Sequence, residues 1–278
     1  GRGNHFNYTD FTVDLPTVDT LILNIPDGDK LDAEGKPVLR PINSVLQDLK
    51  GKFTINLPIN KSGVSELPQF PMFESFEPAK VYYESKDIMD GTYKKDKFYY
   101  EINPFKMDSL MYLSIPMIKF GGTFYSSDIL EPIKQPLSVQ PDLSLGFELT
   151  SPDEGFALYK GKGKFVSDIK LTNSGLEGKG DISYQTANFF SDKIYFYPDS
   201  LKAVAQDFKL KESSGAYESP EINSYGNNVK WTPYQDHMIA YSVNEQPFKM
   251  YDEKVKLDGS IELTNKGVSG SGIADWDD

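Results

Sequence analysis

The residues that could do chemistry are few and scattered. The chain has two histidines, His5 and His237, and no cysteine. His237 follows Asp236, but no nucleophile motif accompanies the pair. Gly267-Val268-Ser269-Gly270-Ser271 approaches the G-x-S-x-G turn that exposes a serine nucleophile and departs from it at the last position. There is no H-E-x-x-H and no phosphate-binding loop. The 41 carboxylates offer material for paired-carboxylate hydrolysis, yet no spacing selects a pair. These residues imply no catalytic group and no cofactor. An acidic loop invites a calcium reading through Asp27, Asp29 and Asp32. Hard cations take oxygens from alternate loop positions. Leu31 stands where the third alternate ligand belongs, so a solvated loop is the competing reading.

A short pattern, Asp-Ser/Thr-Leu, occurs three times and makes Thr20, Ser109 and Ser200 candidate glycosylation sites. It resembles the acceptor motif for O-glycosylation in Bacteroidota. The alternative is a turn-to-strand transition in which Asp and the hydroxyl satisfy local polar groups. Aromatics cluster at Tyr82-Tyr83, Tyr99-Tyr100 and Tyr195-Phe196-Tyr197. Strand packing accounts for them, since aromatics suit a pleated surface; a glycan platform is the other reading.

The elements that would position these groups are organised by a repeat. GKFVSDIKLTNSGLEGKGDI, residues 163–182, reads as two strands around a tight turn. IELTNKGVSGSGI, residues 261–273, repeats it at a constant offset of 92, from Gly175, Gly178 and Gly180 to Gly267, Gly270 and Gly272. Apolar residues alternate before Thr172-Asn173, and a loop ending in glycine suits a hairpin. Glycines at i and i+2 leave one strand face bare, for a neighbouring backbone, a large aromatic or a ligand. GKFTINLPINKSGV, residues 51–64, reads as a weaker third copy. INSVLQDL, residues 42–49, is the best helical candidate, closed by Gly51. Lys160, Lys162 and Lys164 alternate with small residues as an edge-protecting row.

Frequent Gly and Pro between short alternating runs predict an all-β fold of stacked antiparallel β modules with repeated hairpins, in an elongated sheet or a sandwich-like array. The expected division is an N-terminal β region over 1–155, with the short helix, and a repeat region over 156–278 whose last repeat is cut short. A net charge of −12 opposes nucleic-acid binding. No apolar run approaches the ~20 residues of a membrane-spanning helix.

VYYESKDIMDGTY, PFKMDSL, VQPDLSLGFEL, YKGKGKF, FYPDSL and ELTNKGVSGSG resemble large, uncharacterised repeat proteins of Bacteroidota envelopes. The L-x-G-x-I-x-L strands are similar to long β-groove proteins of the AsmA and TamB type, which carry lipid along an apolar trough. The resemblance implies a Gram-negative envelope protein, periplasmic or surface-exposed, and the repeat with no catalytic constellation beside it makes the expected role that of a non-enzymatic scaffold or spacer segment. Its implied partners are other repeats of the same longer chain. A lipid-conducting groove and a glycan-binding module are the alternatives.

Overall fold

The computed structural model describes residues 2–214, 219–243 and 246–276. The chain forms two compact units. One comprises Gly1–Asp87, Lys94–Tyr125 and Pro132–Phe147; the other comprises Ile88–Tyr93, Ser126–Glu131 and Glu148–Asp278. Antiparallel strands dominate both, as the all-β expectation has it, and among the described residues the helices are three-residue 3₁₀ turns.

In the first unit, β1 (His5–Asn7) pairs with β2 (Thr12–Leu31), and β2 forms a long hairpin with β3 (Pro37–Thr54). β3 pairs with β4 (Met72–Ser75) and β5 (Ala79–Tyr82), and β5 pairs with β6 (Phe98–Ile102). Shorter strands follow: β7 (Lys106–Met107), β8 (Lys119–Phe120), β9 (Gly122–Ser126) and β10 (Leu137–Val139). β11 (Leu145–Thr150) runs from the first unit into the second. Edge-to-face rings knit the core: Phe98 on Phe124 at 5.1 Å and Phe124 on Phe147 at 5.4 Å.

Two expectations are corrected here. Residues 42–49 are strand, not helix. Ile42, Ser44 and Leu46 are buried alternately, and Asp48 takes a φ of 60°, which resets the pleat so that Leu49 and Gly51 also face inward. Burial at period two thus overrides local helical content. Residues 51–64 are not a hairpin. Gly51 lies inside β3, which runs on to Thr54, and a Cβ there would meet the Glu74 carbonyl at 2.2 Å. The chain then enters a loop tied by Asn60, whose amide donates to the Ser65 carbonyl at 2.8 Å.

The second unit is an antiparallel meander. β12 (Phe156–Leu158) pairs with β13 (Gly163–Thr172), followed by β14 (Gly175–Tyr184) and β15 (Ala187–Phe196). β16 (Leu201–Ala205) and β17 (Asp207–Leu210) form one line broken at Gln206, and both pair with β15. β18 (Ile222–Ser224) and β19 (Asn227–Thr232) form the next line, then β20 (His237–Tyr241) and β21 (Phe248–Met250). β22 (Val255–Thr264) pairs with both of these, and β23 (Gly267–Trp276) pairs with β22.

This sheet curls onto its own apolar face. Tyr184 on β14 and Trp231 on β19 are three strands apart, about 14 Å in a flat sheet at ~4.8 Å per strand. Their ring centroids lie 4.8 Å apart. Trp231 also reaches β13, where a Cβ on Gly163 would sit 2.5 Å from its ring. Phe165, Phe189, Phe196, Phe208 and Phe248, all buried, fill the rest.

Candidate functional site

The feature that repeats most closely is a kinked hairpin. In β13–β14, Ser167 lies opposite Gly180, with φ of 113° and 153°. In β22–β23, Gly259 lies opposite Gly272, with φ of 155° and 146°. The positions match at the offset of 92. The kink brings backbone against backbone: a Cβ on Gly180 would lie 2.1 Å from the Val166 carbonyl, and one on Gly272 2.1 Å from that of Asp258. Glycine is required because L side chains avoid this φ and no space remains.

A serine clamps each kink. Ser151 donates its N–H to the Ser167 carbonyl at 2.8 Å and accepts the Ser167 N–H on Oγ at 3.1 Å. Ser242 donates to the Gly259 carbonyl at 2.8 Å and accepts the Gly259 N–H on Oγ at 2.8 Å. Upstream, Tyr159-Lys160-Gly161 turns through φ of 50°, 60° and 82°, and Tyr251-Asp252-Glu253 through 51°, 56° and 68°. The structural repeat therefore runs from β11 through β14 and from β20 through β23. Sequence reasoning missed its first half, because Tyr-Lys-Gly and Tyr-Asp-Glu share only the tyrosine. The paired tyrosines at the same offset were the available signal.

The outer face of the first copy carries a depression of about 560 Å³. Cross-strand charge ladders line it. Lys170 pairs with Glu148 at 2.8 Å, Lys193 with Glu177 at 3.2 Å and Lys179 with Asp192 at 2.9 Å. The Lys179 hydrogen bond holds the Asp192 carboxyl below its ordinary range, with Gln206 adding to the effect. Asp181 moves the other way, raised first by burial and then by the charge of Asp207. Paired, solvated groups of this kind form a polar sheet face. The bare stripe on the inner side is filled by protein: the Phe196 ring would lie 2.7 Å from a Cβ on Gly178, and Phe165 3.2 Å.

The candidate residues are dispersed. His5 is exposed on β1, and His237 Nε2 lies 3.3 Å from Glu262. Asp236 pairs with Lys162 at 2.8 Å. Ser269 is exposed on β23. Asp27 pairs with Lys30 at 2.6 Å and Arg40 at 3.3 Å. Asp32 Oδ1 accepts the N–H groups of Glu34 and Lys36, both at 2.9 Å, closing a turn. Asp29 is exposed, and among the described residues no three His, Asp or Glu side chains gather as a metal site would require. Lys160 and Lys162 fall in the turn before β13 rather than on a strand, and Lys160 pairs with Asp128 at 2.9 Å.

Of the three hydroxyls, Thr20 is exposed on β2, Ser109 is half-buried and Ser200 is 8% exposed. Ser109 and Ser200 each donate to the preceding aspartate, at 2.9 and 3.0 Å. The tyrosines of β5, β6 and β9 form a row, with Tyr99 stacked on Tyr125 at 5.0 Å. Lys95 sits over Tyr82 at 4.2 Å and Lys80 over Tyr99 at 4.8 Å, so ammonium groups occupy ring faces a sugar would use.

No family model, curated protein or solved structure matches this chain. What fold and site define is an all-β protein with a repeated, kinked hairpin. No helix among the described residues is long and apolar enough to cross a membrane.

Proposed function

We propose that this chain is a non-enzymatic, structural β-repeat segment of a large Gram-negative envelope or surface protein, acting as scaffold or spacer. The observation that carries this reading is the self-filled interior of the meander. Trp231, Tyr184, Phe189, Phe208 and Phe248 occupy the apolar face that a conduit would leave open. The clamped kink supports the same reading, because both copies devote their special geometry to backbone packing. The envelope location draws its support from the resemblance of the repeat sequences to Bacteroidota envelope proteins. The test is native mass spectrometry with lipid extraction on protein purified from its own host. The scaffold reading expects a mass free of lipid. Lipid at defined stoichiometry would overturn it in favour of a β-groove.

A further inference from the structure

One end of the first unit gathers apolar side chains outside the core. Register sets Thr12, Thr54 and Met72 side by side across β2, β3 and β4, and β7 joins β4 with Met107 opposite Phe73. The loop over 55–71 leaves β3 at that end, and the loop over 108–118 leaves β7 beside it. Backbone bonds tie the two: Ser109 donates its N–H to the Gln69 carbonyl at 2.9 Å, and Leu110 donates to that of Pro71 at 3.1 Å. In the first loop Ile59 is 92% exposed and Val64 85%. Asn60, buried between them, accepts the Ser65 N–H at 3.0 Å and donates to the Ser65 carbonyl, so the loop is closed from within and both apolar side chains stand outside. In the second loop Met111 is 74% exposed, and Tyr112, Ile115 and Met117 are exposed too. Residues 55–65 hold one charge, Lys61, and residues 109–118 hold none, in a chain that is 25% charged. An uncharged apolar patch of this kind marks a contact surface. Against the second loop lies a cleft of about 140 Å³ with apolar walls from Phe105, Leu113 and Phe120. Lys106 and Lys119 line it as well; both are exposed, and neither forms an ion pair with a described residue. Asp108, the acid in the lining, accepts the Ser109 hydroxyl at 2.9 Å.

We infer that this end of the first unit docks on the surface of a phospholipid leaflet. The apolar loops and the cationic cleft select that occupant together. Ile59, Val64 and Met111 stand clear of their own protein on separate turns, and a bilayer interface takes up such side chains one by one. Tyr112 has the ring and hydroxyl that settle at headgroup level. Lys106 and Lys119 supply ammonium groups for lipid phosphate, free of any carboxylate that would have to be displaced. The cleft is smaller than the ~300 Å³ of a pocket that encloses a small-molecule ligand, so it grips part of a headgroup and carries no whole lipid through extraction. The net charge of −12 opposes a strongly anionic surface, so the leaflet is zwitterionic. The same repulsion opposes a second copy as the occupant.

The test is flotation of the full chain with vesicles of phosphatidylcholine and phosphatidylethanolamine. The expected result is that the chain floats, and that Ile59→Asp with Met111→Asp lowers the bound fraction at least tenfold (~10×), because each aspartate would have to enter the interface. Ile59→Ser with Met111→Ser, gentler on the fold, should lower it as well. Lys106→Glu with Lys119→Glu should weaken flotation and reduce its dependence on salt. Ile22→Asp, at an exposed apolar site ten residues along β2 from Thr12, should leave it unchanged. Unfolding midpoints report that each variant folds. A chain that stays with the soluble fraction overturns the inference, as does flotation that survives both double substitutions of Ile59 and Met111, or an equal loss in Ile22→Asp. A sedimentation coefficient that falls on replacing Ile59 and Met111, in the absence of lipid, would make a second copy the occupant and overturn it equally. The inference goes beyond the scaffold reading and uses other residues. Its failure leaves a lipid-free mass standing, whereas lipid retained at defined stoichiometry removes the scaffold reading whatever the vesicles show.

Discussion

Gly180 holds the kink of the first hairpin, and its replacement has a definite cost. At φ 153°, with a carbonyl 2.1 Å from the new Cβ, Gly180→Ala is expected to lose ~1–3 kcal/mol or more in urea unfolding. Gly270→Ala should cost less, because the nearest atom to its Cβ is the movable Leu257 Cδ2 at 2.9 Å. Equal losses at the two sites would contradict the kink as the reason for glycine. Tyr159 is a second single-residue anchor: its hydroxyl donates to the carbonyls of Ser200 at 2.6 Å and Tyr197 at 3.0 Å. Both carbonyls also accept backbone N–H groups within that turn, Ser200 O from Tyr197 and Tyr197 O from Ser200, so Tyr159→Phe removes a shared hydroxyl donor and should cost ~0.5–1.5 kcal/mol. Burial drives the Tyr159 hydroxyl well above its usual range and pushes Tyr100 up to about 12. Their neutral forms therefore belong to the folded state. The stability this gives is intact below the ordinary tyrosine value of ~10 and falls as pH rises toward 12. Unfolding midpoints flat from pH 10 to 12 would refute that linkage. If the chain is glycosylated, peptide mapping should find the sugar on Thr20 and not on Ser200, whose hydroxyl is buried in the fold.

At the scale of elements, the hairpins over 163–184 and 255–276 were legible because alternation, Thr-Asn and the glycines agree in both copies. Residues 201–210 allow helix by content and a bulged strand by the alternation of Leu201, Ala203, Ala205 and Phe208; the structure has β16 and β17, broken at Gln206, whose N–H donates to the Phe190 carbonyl at 2.8 Å. Residues 42–49 misled because Ser44 and Gln47 allow a helical stripe. Burial of Ser44, whose Oγ accepts the Leu145 N–H at 2.8 Å, depends on a segment about a hundred residues away. The serine clamp was invisible for a similar reason: Ser151 and Ser242 become partners of the kink only when their strands reach β13 and β22. Curling of the meander was likewise hidden, since nothing local marks Trp231 as the ring that meets β13 and β14. Trp231→Ala should cost ~3–5 kcal/mol by leaving a large cavity among those strands. A loss below ~1 kcal/mol in thermal or urea unfolding would mean that the ring does not hold the curl.

At the scale of the whole molecule, the second unit has an inner face that holds the fold and an outer face that meets water. The outer charge ladders are solvent-exposed, screened pairs that add little to stability. The inner face is closed by aromatic contact. This interior belongs to the protein's own side chains, and Trp231 reports on it directly. The chain has two tryptophans, so Trp276→Phe leaves Trp231 as the single tryptophan, excited at the red edge where the tyrosines do not absorb. The measurement is quenching of that variant by lipids brominated along the acyl chain. The scaffold account predicts blue-shifted emission that brominated lipid leaves unchanged. Saturable quenching at defined lipid stoichiometry would place an acyl chain beside Trp231 and contradict it.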